Sequence, residues 1–480
     1  MNKLIPIIIG SEKDMDFGLE ISKFLDKFKI QSIIRICSAH KSCLNLLKIL
    51  KEYEENDNVK AYITIAGKSN ALSALIDGNT LKPVISSPPL KDSNIHDLYS
   101  STSMPSGIAP MTVIGAENAA KAAIKICALN NTRLKNELYE YKNNMIQKLH
   151  IDDIKSKYRG FVSTSCLEKC IINSKDMLSD LESVNKLELV RTGKVRDVYK
   201  YNSINNFETS TPYTMIASDR LSAFDRNITA IPYKGIVLHK TSMWWFNKTE
   251  HIVPNHIISD LNERSMLVKQ CKVFPIEFVM RSYLTGSTET SIWKNYEKGC
   301  RNYCGNILHD NMKKNQKLPV TLLTPTTKGV KDELISKDEV ISQGIMSQKF
   351  WEICENYSFK LFEYGQKIAK ENGLILVDTK YEFGIDEYGN ILLVDELHTP
   401  DSSRYWINYS YDERIKNGQD PESIDKDVIR KWVNNQIDPY DLSLDIPHIS
   451  DEMKISVSTK YIYLYELITG NTFEYPFKAK

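Results

Sequence analysis

The sequence lacks any long apolar run. No stretch approaches the roughly 18 consecutive apolar residues that a membrane-spanning helix needs. Its first apolar run, residues 4–9, is too short for the core of a secretory signal peptide, and a glycine and charged residues follow it directly. We therefore expect no membrane span and no export signal, and we expect the protein to work in the cytoplasm.

Neither sign of charge is in excess. The chain has 62 Lys and Arg against 61 Asp and Glu, a net charge of +1, so nothing marks a nucleic-acid or membrane surface. Hydrophobic residues make up 42% and charged residues 26%, which is ordinary for a globular protein. With 480 residues the chain is too long for one core, and two or three domains of about 100–200 residues are expected.

Cysteine is sparse and follows no pairing pattern. Nine cysteines are scattered along the chain. Cys166 and Cys170, and Cys300 and Cys304, have a CxxxC spacing, but no His or second Cys pair completes a zinc set. We expect free thiols in a reducing compartment. Internal repeats and low-complexity tracts are also missing.

Short apolar strands alternate with helical stretches over about the first 130 residues. Strands are predicted over "LIPIIIG", "QSIIRICS", "KAYITIAG" and "KPVISSP", with helices over "DFGLEISKFLDKF", "SCLNLLKILKEYEEN" and from "NALSALIDGNT". This alternation predicts an α/β domain, a three-layer flavodoxin-like parallel sheet with helices on both faces. Residues 115–180 are predicted to be mostly helical.

The pattern of predicted strands and helices changes after a predicted boundary near residue 180, which gives domains 1–180 and 181–480. Strands there are hairpin-like, as in "ILVDTKYEFGIDEYGNILLVDEL", where "DEYGN" is a turn between two apolar runs. The pattern predicts an α+β domain.

Polar clusters fall where the predicted parallel strands end: "GSEKD", "CSAHKS", "AGKSN" and "SSPPL". Ligands bind at that edge of such sheets. Asp14 and Ser38 could each be no more than a helix cap, and a lone histidine such as His40 is usually structural. Because the first three of these clusters converge on one edge, a binding site is the better interpretation.

The motifs "GSEKDM", "SAHKS", "IAGKSNALSALIDGNTLKPVISSPP" and "SSTSMPSG" resemble the AIR carboxylase family over about residues 4–130. This family forms carboxyaminoimidazole ribonucleotide (CAIR) from aminoimidazole ribonucleotide (AIR). One class is a mutase with a GxGGxxH stretch, and the other uses CO2 directly and has SAHK with GRSN. The chain resembles the second class, although it has Lys68 for the usual Arg and Ala71 for the usual Gly.

The resemblance implies roles for individual residues. His40 would shuttle the proton that leaves the ring carbon, for which a base of pKa near 6.5 is suited. Lys41 and Lys68 would stabilise the developing carboxylate. The family also implies a homo-oligomer, probably an octamer in which "SMPSG" closes over a site. The residues implied in AIR and CAIR binding are Gly10, Ser11, Asp14, Ser38, Ala39, Gly67, Ser69 and Ser106.

A second set of motifs begins with "RTGKVRDVY". Its Gly–Lys turn could lie over nucleotide phosphates but lacks the P-loop spacing, and alone it would be an ordinary surface hairpin. Glu382 and Asp395 lie on facing strands of the predicted hairpin. Two carboxylates there could hold Mg²⁺ beside a triphosphate, or they could belong to a solvated strand face.

Together "GKVRD", "SDRLSAFD", "MRSYLTGS", "DTKYEFGID" and "DELHTPDSSR" resemble the SAICAR synthetase family over about residues 186–470. That family joins CAIR to L-aspartate with ATP and Mg²⁺, and the resemblance implies an ATP-grasp-like α+β fold without an organic prosthetic group. It implies ATP binding by Gly193, Lys194 and Arg196 and Mg²⁺ binding by Glu382 and Asp395. Binding of CAIR and aspartate is implied for Ser218, Asp219, Arg281, Ser287 and Arg404.

The product of the first family is the substrate of the second. We therefore predict a bifunctional enzyme of purine biosynthesis, with its domains in the reverse order of the similar animal enzyme. Three alternatives stay open: a first domain that is only an oligomerising scaffold, one that is a nucleotide-binding sensor, and one that is a mutase.

Overall fold

The computed structural model describes residues 3–90, 95–157, 187–201, 211–224, 226–329, 332–424 and 427–474. The chain forms two compact units, Met1–Asn143 and Asn144–Lys480. The boundary predicted near residue 180, and Cys166 and Cys170, lie outside the described residues. Among the described helices, none combines the length and the apolar composition that crossing a membrane requires.

The first unit contains the predicted alternation of strands and helices. Its strands are β1 (Leu4–Ile9), β2 (Gln31–Ile36), β3 (Tyr62–Ile65), β4 (Val84–Ser86) and β5 (Met111–Thr112). Its helices are α1 (Met15–Lys27), α2 (Cys43–Glu54), α3 (Ala71–Asp77), α4 (Ile95–Thr102), α5 (Ala116–Ala128) and the start of α6 (Thr132–Lys157).

The five strands pair in parallel in the order β2-β1-β3-β4-β5. Side chains alternate along β1, so that Ile7 and Ile9 join a core cluster with residues of α1 and α5, whereas Ile8 joins one with residues of α2 and α3. Two cores on opposite faces make a three-layer α/β fold, as predicted. The carboxyl ends of all five strands meet at one edge.

The second unit is built on antiparallel sheets, as the hairpin pattern predicts. Its helices are α7 (Lys234–Thr249), α8 (Ile292–Glu297), α9 (Lys337–Ser342), α10 (Gln348–Glu371), α11 (Asn408–Lys416), α12 (Asp427–Gln436) and α13 (Asp451–Thr469). Its strands are β6 (Leu187–Thr192), β7 (Arg196–Tyr201), β8 (Tyr213–Ala217), β9 (Arg220–Ala223), β10 (Arg226–Ala230), β11 (Ile257–Asn262), β12 (Ser265–Val268), β13 (Lys272–Val273), β14 (Ile276–Tyr283), β15 (Asn302–Tyr303), β16 (Asn306–Ile307), β17 (Lys317–Leu323), β18 (Thr326–Thr327), β19 (Leu374–Ile385), β20 (Ile391–Val394) and β21 (Ser403–Ile407).

One five-stranded sheet has the order β11-β12-β8-β7-β6, and a larger sheet has β13-β19-β14-β17, with β20 and β21 also paired to β19. The predicted turn between β19 and β20 is closed by Asp386, whose Oδ1 accepts hydrogen bonds from the backbone N–H groups of Tyr388 and Asn390. Helix α10 packs on β14 and β19 and contributes Trp351 to a core that also contains Phe278 and Trp245.

Candidate active sites

All candidate residues of the first unit except Ser106 follow β1, β2 and β3, the three adjacent strands at one side of the sheet. The backbone ties these loops together. The Gly10 N–H donates to the carbonyl of Ile65 at 2.9 Å, and the Cys37 N–H donates to the carbonyl of Ile9 at 2.9 Å. The loops that carry Ser11, Ser38 with Ala39, and Gly67 therefore begin side by side.

His40 and Lys41 lie in an exposed turn after β2. The carbonyl of Ser38 closes this turn by accepting from the N–H groups of Lys41 at 3.3 Å and Ser42 at 2.9 Å. Nε2 of His40 is 3.5 Å from Oγ of Ser69, which belongs to the loop after β3. The structure thus brings together two residues that are 29 positions apart and that the sequence assigns to one site.

The loop after β3 is held at its far end by a residue that sequence reasoning missed. Asn70 is buried, accepts from the Ser73 N–H, and donates through Nδ2 to Oγ of Ser86 at 2.8 Å and of Ser101 at 2.9 Å. Lys68, between these anchors, has a left-handed backbone with φ +59° and an exposed side chain. Such a conformation is uncommon in a non-glycine residue and occurs at turns, some of which serve a function.

The other candidates of this unit lie at the start of α1 and in the turn before β5. Ser11 caps a short 3-10 helix, Glu12–Asp14, by accepting from the Lys13 N–H at 3.3 Å. Asp14 is half-buried at the start of α1. Ser106 lies in an exposed turn closed by a hydrogen bond from the Ile108 N–H to the Pro105 carbonyl, and its predicted closing role stays a prediction.

In the second unit, the predicted hairpin places two acidic positions next to each other. Glu382 on β19 lies opposite Val394 on β20, and Asp395 directly follows β20 with φ +70°. The buried guanidinium of Arg196 lies 3.4 Å from Oδ1 of Asp395 and 3.1 Å from Oε2 of Glu396. Arg196, predicted to bind ATP, is thus bound to carboxylates. Glu396 was not predicted, although it directly follows Asp395 in "DELHTP".

The two predicted metal ligands differ in their surroundings. Glu382 binds Nζ of Lys328 through Oε2 and Nζ of Lys380 through Oε1. Burial alone would raise the pKa of Glu382, but Lys380 and Lys328 lower it to about 2. For Asp395, burial raises the pKa to about 6, and the charge of Glu382 adds to this increase while Arg196 opposes it.

The raised pKa of Asp395 indicates that its carboxylate has too little neutralising charge, and such a group favours a nearby cation. No group of three His, Cys, Asp or Glu side chains within the described ranges is placed to hold a metal by itself. Mg²⁺ is nevertheless commonly held by one or two carboxylates together with water and substrate phosphates. The oxygen donors of Asp395, Glu382 and Glu396 fit this mode.

The predicted Gly–Lys turn connects β6 and β7. The Gly193 N–H donates to the Arg196 carbonyl at 2.8 Å, and a Cβ at position 193 would lie only 2.5 Å from that oxygen, so the turn requires glycine. Arg220 binds both oxygens of Asp197, at 3.1 and 2.6 Å, and the Gly193 carbonyl at 3.1 Å. Lys194 is exposed at the tip of this buttressed turn.

Arg281 and Arg404 lie on either side of one carboxylate. The register pairs Arg281 of β14 with Asp378 of β19, and Asp378 with Arg404 of β21. Nη1 of Arg281 is 3.6 Å from Oδ2 of Asp378, and Nη1 of Arg404 donates to the same oxygen. Nε of Arg281 also donates to Oγ1 of Thr324 at 2.9 Å. Asp378 was not predicted, although it opens the motif "DTKYEFGID".

The remaining candidates have different surroundings. Oγ of Ser218 donates to the Val195 carbonyl at 2.7 Å, next to the Gly–Lys turn. Asp219 is almost fully buried, and its Oδ1 accepts from the Gly235 N–H at 2.8 Å and from Nη1 of Arg264 at 2.6 Å. These contacts join β8 to the start of α7. Ser287 lines a separate cleft of about 540 Å³ with residues 434–440.

Comparisons with known proteins divide the chain in the same way. The family model "AIR carboxylase" matches residues 4–148, and the model "SAICAR synthetase" matches residues 189–447. Among curated proteins, the chain is 45% identical over 325 residues to "Phosphoribosylaminoimidazole-succinocarboxamide synthase, chloroplastic" of Arabidopsis thaliana, which covers 68% of this chain and 77% of the relative. It is 48% identical over 284 residues to the synthase of Legionella pneumophila, covering 59% and 88%.

A solved structure described as "SAICAR-synthase from Saccharomyces cerevisiae complexed SAICAR" superposes with a TM-score of 0.51 at 32% identity. The match covers 62% of this chain and 98% of that chain.

Proposed function

The chain belongs to the SAICAR synthetase family and carries an AIR carboxylase domain in front of the synthetase part, and from this premise we propose that it catalyses two consecutive steps. The first unit converts AIR to CAIR with CO2. The second unit converts CAIR, L-aspartate and ATP to SAICAR, ADP and phosphate. The observation that carries the proposal is the cluster of three carboxylates, from Glu382, Asp395 and Glu396, near Arg196.

In the synthetase reaction, a carboxylate oxygen of CAIR attacks the γ-phosphorus of ATP, which releases ADP and leaves an acyl phosphate. The amine of aspartate then displaces phosphate and forms the amide. Phosphoryl transfer of this kind needs positioning and charge neutralisation above all. Mg²⁺, when bound by Asp395 and Glu382, supplies part of that neutralisation.

The described side chains support a division of roles in this step. Lys194, at the tip of the buttressed turn, binds ATP phosphates. Arg281 and Arg404 bind the phosphate or carboxylates of CAIR, for which the planar guanidinium is suited. Their shared partner Asp378 holds both guanidiniums in one place before substrate arrives.

In the carboxylase reaction, bond formation at C4 of AIR leaves that carbon tetrahedral, and its proton must depart to restore the aromatic ring. His40 accepts this proton, and Ser69 beside Nε2 orients the imidazole. Lys68 and Lys41 stabilise the new carboxylate. Ser11, Asp14 and Ser38 position the ribose phosphate, and Gly10, Ala39 and Gly67 line the rest of the AIR site.

The experiment that tests this function supplies the purified protein with AIR and CO2 in the absence of ATP. A parallel reaction contains the N-carboxylated isomer of CAIR. We expect CAIR from AIR and CO2, followed by SAICAR when aspartate, ATP and Mg²⁺ are added. CAIR from the isomer alone would make the first unit a mutase, and CAIR from neither would make it a scaffold.

We also propose that the first unit assembles into a homo-oligomer, with eight copies as the expected number. Large apolar side chains on it are exposed, among them Leu44 at 74%, Leu81 at 103% and Leu129 at 67%. These side chains are available to be buried in contacts between copies. Sedimentation analysis tests the assembly. The free thiols are compatible with the proposed work in a reducing cytoplasm.

A further inference from the structure

One buried carboxylate near the first site has no role in the reaction as described above. Asp97 lies on α4, which follows β4, and is 8% exposed. Its carboxylate points to the loop after β3, because a Cβ built on Gly67 would lie 2.8 Å from Oδ2 of Asp97. Within the described ranges of the first unit, its carboxylate has neither a hydrogen-bond donor nor an ion-pair partner.

The position of Asp97 is fixed by its backbone. The Asp97 carbonyl accepts from Oγ of Ser101 at 3.1 Å, and Oγ of Ser101 accepts from Nδ2 of Asn70 at 2.9 Å. Asn70 ends the loop that contains Gly67 and Ser69. The backbone of Asp97 is therefore held to the loop that contains Gly67 and Ser69, and Ser69 of this loop approaches His40.

Three chemically different groups thus surround one three-residue loop. The Asp97 carboxylate approaches Gly67, at the start of the loop. The side chain of Lys68, the middle residue, is exposed. Nε2 of His40 is 3.5 Å from Oγ of Ser69, the third residue. A largely buried carboxylate that has no donor of its own can accept a hydrogen bond from a ligand bound beside it. A ligand that satisfies all three groups needs an N–H donor, a site where negative charge develops, and a proton to release.

We propose that the Asp97 carboxylate accepts a hydrogen bond from the exocyclic amine of the aminoimidazole ring, an inference that rests on the proposed carboxylation. The amine lone pair increases the electron density at C4, which forms the bond to CO2. As that bond forms, the amine nitrogen becomes positively polarised, and Asp97 stabilises it without taking its proton. His40 then accepts the C4 proton, and the neutral amine is restored.

The test measures binding of two ligands to the full-length protein by calorimetry. One is AIR, and the other is the same imidazole ribonucleotide without the amine. Because a hydrogen bond to a charged group is lost with the second ligand, we expect wild type to bind AIR roughly 10- to 100-fold more tightly. In Asp97→Asn we expect this ratio to fall to about threefold or less.

A second variant displaces the carboxylate without removing it. In Gly67→Ala, the added methyl group would meet Oδ2 of Asp97 at 2.8 Å, so the ratio should also fall. Asp57→Asn is the matched control, because Asp57 is exposed in the loop before β3, at the opposite edge of the sheet; it should keep the wild-type ratio.

The outcomes separate this inference from the proposed function. If wild type forms CAIR but Asp97→Asn keeps the full binding ratio, the role of Asp97 is wrong and carboxylation stands. If Asp97→Asn changes the sedimentation of the protein, Asp97 serves assembly and the inference also fails. If wild type forms no CAIR and binds neither ligand, both proposals fail. SAICAR formation from supplied CAIR should be unchanged in every variant.

Discussion

The two candidate sites differ in how their charged groups are held. In the first unit, His40, Lys41 and Lys68 are exposed side chains on backbone loops, and the loops rather than the side chains are fixed by hydrogen bonds. In the second unit, Arg196 and Glu382 are buried, and each contacts two oppositely charged groups. The charged groups of the second site are thus held by oppositely charged neighbours, whereas those of the first are positioned mainly through the backbone of their loops.

Because the two sites lie in different units, we expect a substitution in one site to reduce only the activity of that site. The largest effect is expected at Asp395, the proposed Mg²⁺ ligand. Asp395→Asn removes a carboxylate proposed to bind Mg²⁺. A bound metal ion contributes several kcal/mol of transition-state stabilisation. SAICAR formation should fall about a thousandfold or more, while CAIR formation from AIR continues at the wild-type rate. Product analysis by chromatography measures both.

Glu387→Gln is the matched control, because Glu387 is exposed in the turn of the same hairpin; both activities should persist. Loss of both activities in Asp395→Asn would indicate misfolding and would remove the support for a metal role.

His40→Ala makes the reciprocal test in the first unit. Loss of the proton acceptor should reduce CAIR formation by about a hundredfold or more. ADP release with supplied CAIR and aspartate should not change. Carboxylation near the wild-type rate would show that His40 is not the proton shuttle.

The difference in burial also predicts a difference in stability. Arg196→Met leaves the buried Glu396 and the partly buried Asp395 without their counter-ion, and we expect a loss of about 3–5 kcal/mol. Lys298→Met breaks the exposed pair with Glu289 and should cost about 1 kcal/mol or less. Denaturant unfolding followed by tryptophan fluorescence reports on the second unit alone, since all 6 tryptophans lie there. Equal losses in the two variants would contradict the comparison.

The smallest effect is expected at Asp420, a partly exposed carboxylate. The hydrogen bond from Lys431 lowers the pKa of Asp420 to about 2, and Lys314 adds to this. The folded protein therefore gains stability above the unfolded pKa near 3.8 and loses it as the pH falls toward 2. Asp420→Asn should cost below about 1 kcal/mol at pH 6 and clearly less at pH 2, where about half of the Asp420 carboxylates are protonated. An equal cost at both values would exclude the ionic origin.

Local sequence signals predicted β1 to β4, the helices of the first unit other than α4, and the β19–β20 hairpin, because apolar periodicity and turn residues act over a few positions; they missed the short β5 and α4. The contacts of the sites depend on strand order, which such signals do not contain. Asp378 becomes the partner of Arg281 and Arg404 only because β14, β19 and β21 are neighbours. Asp97 likewise approaches Gly67 only through the packing of α4, and nothing around it in the sequence distinguishes it.

Helix α6 has a consequence for separating the two activities by truncation. It runs without a break from Thr132 to Lys157, although the first unit ends at Asn143. Its later turns belong to the second unit: Ile151 is fully buried in that unit's core, and Nε2 of Gln147 donates to the Lys370 carbonyl at 3.2 Å. A synthetase fragment that begins at residue 181 would lack Ile151 and leave a cavity in the core of the second unit. A fragment that begins at Asn144 keeps this side chain and is the better starting point.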